Sequence, residues 1–167
     1  LDNNYRSGNM LAEYHFDSQT EGCVYNTVDH QLYVGQEDKG IWKIAPMSGE
    51  KTLIETMAQG NLVADVEGLD IYYGDQQYLI ASSQGDDSYV VYQIAPWKML
   101  SKFRIGPNTH TGLDGASETD GLAVSAKPIK DYPQGIMVVQ DGRNVSPAAN
   151  QNFKIINWQK IEGLLKK

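Results

Sequence analysis

Cysteine is almost missing from this chain. Cys23 stands alone among 167 residues, which excludes an internal disulfide framework, and its place in an apolar run reads as a small buried hydrophobe. Only three histidines occur, His15, His30 and His110, with no Cys-His-Asp order that would suggest a side-chain nucleophile. Basic residues are outnumbered, 14 Lys and Arg against 21 Asp and Glu, giving a formal net charge of -7. Nucleic acid is thereby disfavoured as a partner, because binding it requires a basic footprint to displace counterions. Any polyanionic partner would need a cation between it and the protein. No apolar run is long enough to suggest a membrane span, and no signal segment is visible.

What the chain does have is a phrase written three times. Glu21-Gly22-Cys23-Val24-Tyr25, Glu67-Gly68-Leu69-Asp70-Ile71-Tyr72 and Asp120-Gly121-Leu122-Ala123-Val124 each lead from an acid and a glycine into a β-run. A second, more hydrophobic run follows each copy: Gln31 to Gly35, Gln77 to Ala81, Gly135 to Val139. Ile41-Trp42-Lys43-Ile44-Ala45-Pro46 is echoed by Val91-Tyr92-Gln93-Ile94-Ala95-Pro96. The acids are 46 and 53 residues apart, room for about four short strands and their turns, the size of a propeller blade. Helical repeats are disfavoured by the Val, Ile, Tyr and Trp in the runs and the Gly, Asn, Asp and Pro between them.

These runs predict an all-β chain, a single partial β-propeller over 1–167 with about three four-stranded antiparallel blades, at about 21–60, 67–106 and 120–158. In the second blade the outer strand is expected over 102–105. Residues 1–9 are polar, and 11–17 alternate apolar with polar as the outer strand of a preceding blade should. The third blade has three strands, with a frayed turn or short helix over 161–167. A three-stranded blade normally takes its fourth from the opposite terminus, and about three blades cannot close a ring, so the expectation is about half a propeller.

In a propeller the residue before each innermost strand sits near one mouth of the central channel. Glu21, Glu67 and Asp120 are expected to converge there, with Glu37, Asp38, Asp65, Asp114 and Asp141 at neighbouring strand ends. Carboxylates gathered in this way raise one another's pKa unless a cation neutralises them. Oxygen donors without a histidine cluster favour calcium. Glu13, Asp29, Asp70, Asp86 and Asp131 read instead as ordinary turn or surface acids. Trp42, Tyr72, Tyr73 and Trp158 read as packing between blades, with Trp97 left open.

The same segments carry a resemblance. Ser18 to Val24, Gln36 to Lys43, Ala64 to Leu69, Ile71 to Gly74, Tyr78 to Gly85, Thr119 to Gly121 and Ala149 to Ile155 resemble, in order, the C-terminal half of the β-propeller phytases. The resemblance implies a six-bladed propeller, calcium-dependent in stability and activity. It implies a phosphomonoesterase that hydrolyses phytate, myo-inositol hexakisphosphate, taken as its calcium complex, and an extracellular or periplasmic location. Carried over by position, Glu21, Glu37, Asp65 and Glu67 resemble the carboxylates of the catalytic calcium cluster. Asp114, Asp141 and Asn144 resemble ligands of tighter, stabilising calcium ions; Asp120, Asp38 and Gln84 have less certain roles beside these sites.

Two departures accompany the resemblance. Arg143 stands where the family commonly has an acidic ligand, opening the way to an arginine–carboxylate contact instead. The family's phosphate-gripping cations belong to its N-terminal half, which this sequence does not include; a ring completed by that half would contain them, whereas one completed by a second copy of this chain would lack them. Lys43, Lys51, Lys98, Lys102 and Arg104 read as solvated charge, and Lys127 and Lys130 as loop residues that could reach a phosphate. Two further readings stay open: a non-catalytic, calcium-stabilised propeller module for partner binding, and a propeller hydrolase with a single metal.

Overall fold

The computed structural model describes residues 7–166 and is built almost wholly from antiparallel strands. Strands β1 (Thr20–Asn26), β2 (Gln31–Gln36), β3 (Gly40–Ala45) and β4 (Glu50–Thr56) form one sheet in that order. Strands β5 (Val66–Tyr73), β6 (Gln77–Ser83), β7 (Ser88–Gln93) and β8 (Lys98–Phe103) form a second. Strands β9 (Leu122–Ser125), β10 (Ile136–Asp141) and β11 (Asn152–Asn157) form a third, and helix α1 (Trp158–Leu165) follows. Each sheet is a meander of sequential neighbours, the layout of a propeller blade. No helix among the described residues is long and apolar enough to cross a membrane.

The three innermost strands lie side by side, β1 against β5 and β5 against β9. Their glycines permit it. A Cβ on Gly22 would meet the Glu67 carbonyl oxygen at 2.1 Å and the Leu69 nitrogen at 2.6 Å, and one on Gly68 would meet the Leu122 nitrogen at 2.8 Å. The acid-glycine phrase also forms a bulge: the β1–β2 register shifts between Thr20 and Cys23, and the β5–β6 register between Val66 and Leu69. A bulge at a strand start re-aims the side chain it carries, here Glu21 and Glu67.

Strand alternation distributes the core. Leu79, Ala81, Val90 and Tyr92 of the middle blade pack toward the first blade with Tyr33 and Ile41, whereas Ile80, Tyr89 and Val91 pack toward the third with Met137 and Val139. The middle blade is therefore buried on both faces, which explains its continuous apolar runs. Trp158, on the first turn of α1, stacks on Tyr72 with centroids 3.7 Å apart, and the Asn157 side chain caps that helix by accepting from the Gln159 N–H. Trp97 proves to be packing too, stacked on Tyr92 at 4.6 Å.

Four local expectations are corrected. Cys23, expected to be a small buried hydrophobe, is exposed, because its place in the alternation of β1 puts it on the open face of that strand. Residues 11–17 form no strand; the segment is instead tied to the first blade by side chains, the Tyr14 hydroxyl donating to the Pro46 carbonyl at 3.0 Å and Phe16 lying edge-on to Trp42. Without a sheet edge beside it, an alternating sequence has no ladder to join. The outer strand of the second blade begins at Lys98 rather than 102, because a tight turn over 94–97 pairs Gln93 with Lys98 at once. The helix starts at Trp158, three residues earlier than expected. Residues 1–6 of the polar leading stretch, and Lys167, lie outside the described residues.

Candidate metal centre

Glu37 follows β2, and Asp65 and Glu67 frame the start of β5. Backbone bonds lock these segments together: the Val66 N–H donates to the Glu37 carbonyl at 3.3 Å, the Gln84 N–H to the Asp65 carbonyl at 3.0 Å, and the Glu37 N–H to the Gln19 carbonyl at 3.1 Å. The result is a group in which one carboxylate oxygen each of Glu37, Asp65 and Glu67 lies within 4.8 Å of the others. Among the described residues no ion pair involves any of the three.

The electrostatics match that geometry. Burial, reinforced by Glu21, Asp120, Glu37 and Asp65, pushes the Glu67 carboxyl up to about 7. Glu37 is raised as well, by burial first and then by Asp65, Glu21 and Asp38. A set of hard oxygen donors with no ammonium among them suits a divalent metal ion, which would relieve the repulsion that now favours protonation. The residues at this mouth therefore fit a metal.

Glu21 lies within electrostatic range but is exposed, its carboxylate accepting from the Gln19 side-chain amide. Asp120 borders Glu67 from the next inner strand, fixed by the Gln84 side-chain amide, which donates to its Oδ1 at 2.7 Å. Asp38 points elsewhere, bonded by the Ser18 hydroxyl and lying 3.7 Å from the Lys39 ammonium.

Asp114, Asp141 and Asn144 also converge, but on a residue that sequence reasoning passed over. The Lys154 Nζ lies 2.6 Å from Asp114 Oδ1, 3.0 Å from Asp141 Oδ2 and 3.3 Å from Asn144 Oδ1. The second Asp114 oxygen accepts from the Val145 and Ser146 N–H groups, and Asp141 Oδ1 from the Ser117 N–H. The Lys154 bond and these amides hold the Asp114 carboxyl down at about 2. With an ammonium already among its oxygens, this corner does not fit the stabilising calcium expected there. No sequence signal marked it, because β11 reverses the usual alternation: Phe153 and Ile155 are exposed while Lys154 between them points inward.

Arg143 makes the predicted arginine–carboxylate contact, 2.9 Å from Glu118. Asp70, read as a surface acid, instead joins two inner strands: its Oδ2 accepts from the Val124 N–H at 2.7 Å. Lys127 shares a cleft with Tyr73 and Ser125 at the far end of β5 from Glu67, about 20 Å away at the rise of a strand. It is not part of the acidic mouth.

Comparison with known proteins places these observations in one family. A family model described as Phytase matches residues 2–167. The chain is 40% identical over 166 residues to the 3-phytase of Bacillus subtilis (strain 168), the alignment covering 94% of this chain and 43% of that protein. The chain thus spans less than half the length of that relative.

Proposed function

Because this chain belongs to the Phytase family, we propose that it contributes to calcium-dependent hydrolysis of phosphate from myo-inositol hexakisphosphate, supplying three blades of a six-bladed ring and the carboxylates at one mouth of it. The observation that carries the reading is the Glu37, Asp65 and Glu67 group, with oxygens within 4.8 Å of one another and no cation of the protein among them. These three residues would hold the calcium, with Glu21 and Asp120 bordering them. When bound, the metal supplies positive charge to offset the substrate phosphates and acidifies water.

The chain's own residues do the rest of the arranging. Val66, anchored on Glu37, fixes the spacing of the two segments that carry the donors. The Gln84 amide holds Asp120 beside Glu67. Glu67 carries a proton close to neutral pH in the absence of a cation, so metal binding there releases it. A mouth this acidic repels a naked polyphosphate, which makes the cation a condition of substrate binding. Cations that grip the substrate directly come from the blades beyond this chain, and the setting is extracellular or periplasmic.

The test is phosphate release from phytate by this chain completed to a ring with the remaining blades of the Bacillus relative. Release that requires calcium, stops with chelator and is lost in Glu67→Gln is expected. Calcium-independent release, or full activity in that variant, overturns the reading.

A further inference from the structure

Asp120 reaches the acidic mouth on a strap with no ladder to hold it. Residues 114–121, which lead into β9, belong to no helix or strand, whereas Glu67 is carried by β5. Side chains meet the strap's backbone groups instead. The Ser117 N–H donates to Asp141 Oδ1 at 3.2 Å, the Glu118 N–H to Asp87 Oδ1 at 2.8 Å and the Asp120 N–H to Gln140 Oε1 at 2.9 Å. These acceptors come from both the second and the third blade, so the strap is seated by the two together.

Thr119 is the buried polar residue of the strap, 3% exposed beside the exposed Asp120. Its hydroxyl donates to the Gln140 carbonyl of β10 at 2.8 Å. A hydroxyl has a single proton, so the Tyr89 hydroxyl of β7, 2.5 Å away, is the donor in the bond between those two side chains. The Thr119 carbonyl accepts from the Ser82 hydroxyl of β6 at 2.5 Å. Ser82, Tyr89 and Thr119 are all buried and bridge the second blade to the third. Gln140 completes the bracket, its carbonyl, side-chain oxygen and N–H engaging Thr119, Asp120 and Gly121 in turn. A buried network whose members are all satisfied holds one geometry. Here that geometry sets the Asp120 carbonyl oxygen 3.0 Å from where a Cβ on Gly68 would stand, one residue from Glu67.

We propose that Thr119 is a positioning residue for the metal centre and acts through Asp120. Its bracketed hydroxyl keeps the Asp120 carboxylate beside Glu67, which strengthens the mouth's hold on a divalent cation without any contact between Thr119 and the cation. This rests on the reading of the mouth as a metal centre. Partners that orient the groups around a metal change its affinity by about 10- to 100-fold. Thr119 stands one step further out, so the lower end of that range applies. Valine keeps the shape of the side chain and loses the hydroxyl, serine keeps the hydroxyl and loses the methyl, and the pair separates the bond from the packing.

Calorimetric titration of calcium into the full chain tests the proposal, with hydrogen exchange at the Asp120 amide followed in chelator. Thr119→Val should speed that exchange and weaken calcium binding by about tenfold, and Thr119→Ser should restore both. Tyr89→Phe, which leaves Thr119 in place and removes only the donor to it, should weaken binding in the same direction. Beside Asp120→Asn the valine substitution should weaken binding no further, whereas a role confined to packing would carry its full loss into that background. Calcium affinity unchanged in both Thr119→Val and Tyr89→Phe overturns the proposal, and so does a loss that persists in full beside Asp120→Asn. Absence of calcium binding in the unsubstituted chain is a different result: it overturns the metal reading and this proposal with it.

Discussion

Gly22 and Glu67 are in backbone contact: a Cβ on Gly22 would lie 2.1 Å from the Glu67 carbonyl oxygen. That approach couples architecture to chemistry. The glycine lets β1 settle against β5, and the acids next to each glycine are thereby brought to the same mouth, where Glu21 and Asp120 both help to raise Glu67. One short phrase therefore encodes a packing contact and a charge cluster at once.

Gly22→Ala is accordingly predicted to destabilise the protein by about 3 kcal/mol or more, since backbone atoms cannot yield as a flexible side chain can. Gly121→Ala, with open space around it, should change stability by no more than about 0.5 kcal/mol. Urea denaturation measures both. Equal effects at the two positions would refute the role given to Gly22.

Lys154 holds Asp114 and Asp141 together with its side chain only 10% exposed. Removing this half-buried ammonium leaves two carboxylates without their cation, one of them buried, so Lys154→Met should cost about 1 to 3 kcal/mol. Arg143→Ala, which breaks a 2.9 Å pair with Glu118 at the surface, should cost less than about 1 kcal/mol. Chemical denaturation of the two variants side by side checks the contrast, and comparable losses would contradict it.

The acid limb of the stability profile should carry the signature of Asp114. Its carboxyl sits at about 2 in the folded protein, below the ordinary value of about 3.9. The unfolded chain therefore binds the proton first, and the stabilisation present above pH 4 is lost as pH falls toward 2. Asp114→Asn should flatten this limb in melting measurements across that range. An unchanged slope would remove Asp114 as its source.

Glu67 predicts the opposite slope. Its folded value of about 7 lies above the ordinary carboxyl value of about 4.3, so in chelator the folded state holds the extra proton. Its contribution is present at low pH and is lost as pH rises from about 4.3 through 7. Melting temperature in chelator should therefore fall over that window, and the rise produced by calcium should grow with pH. Glu67→Gln should weaken both trends, leaving the smaller part that Glu37, raised in the same direction, contributes.

Much of this was legible in the sequence because the repeat fixes phase. Once the acid-glycine phrase marks an innermost strand, Glu37, Asp65 and Glu67 fall at strand ends that share one mouth, and the structure brings them together. Lys154 was not legible from composition, since a lysine in a strand reads as solvated charge until its neighbours are known to face outward. Asp70 escaped for a similar reason: its partner, the Val124 N–H, is 54 residues away on another blade. The strand expected over 11–17 has the right alternation, but a strand exists only where an edge accepts it, and alternation carries no information about edges.

The account turns on whether Glu37, Asp65 and Glu67 bind a cation as a unit. Calorimetric titration of calcium into the chain near neutral pH tests it most directly, with the triple variant Glu37→Gln, Asp65→Asn, Glu67→Gln alongside. The account predicts saturable binding accompanied by proton release in the unsubstituted chain, and loss of both in the triple variant. Binding of equal affinity and stoichiometry in the two proteins would place calcium elsewhere and contradict it.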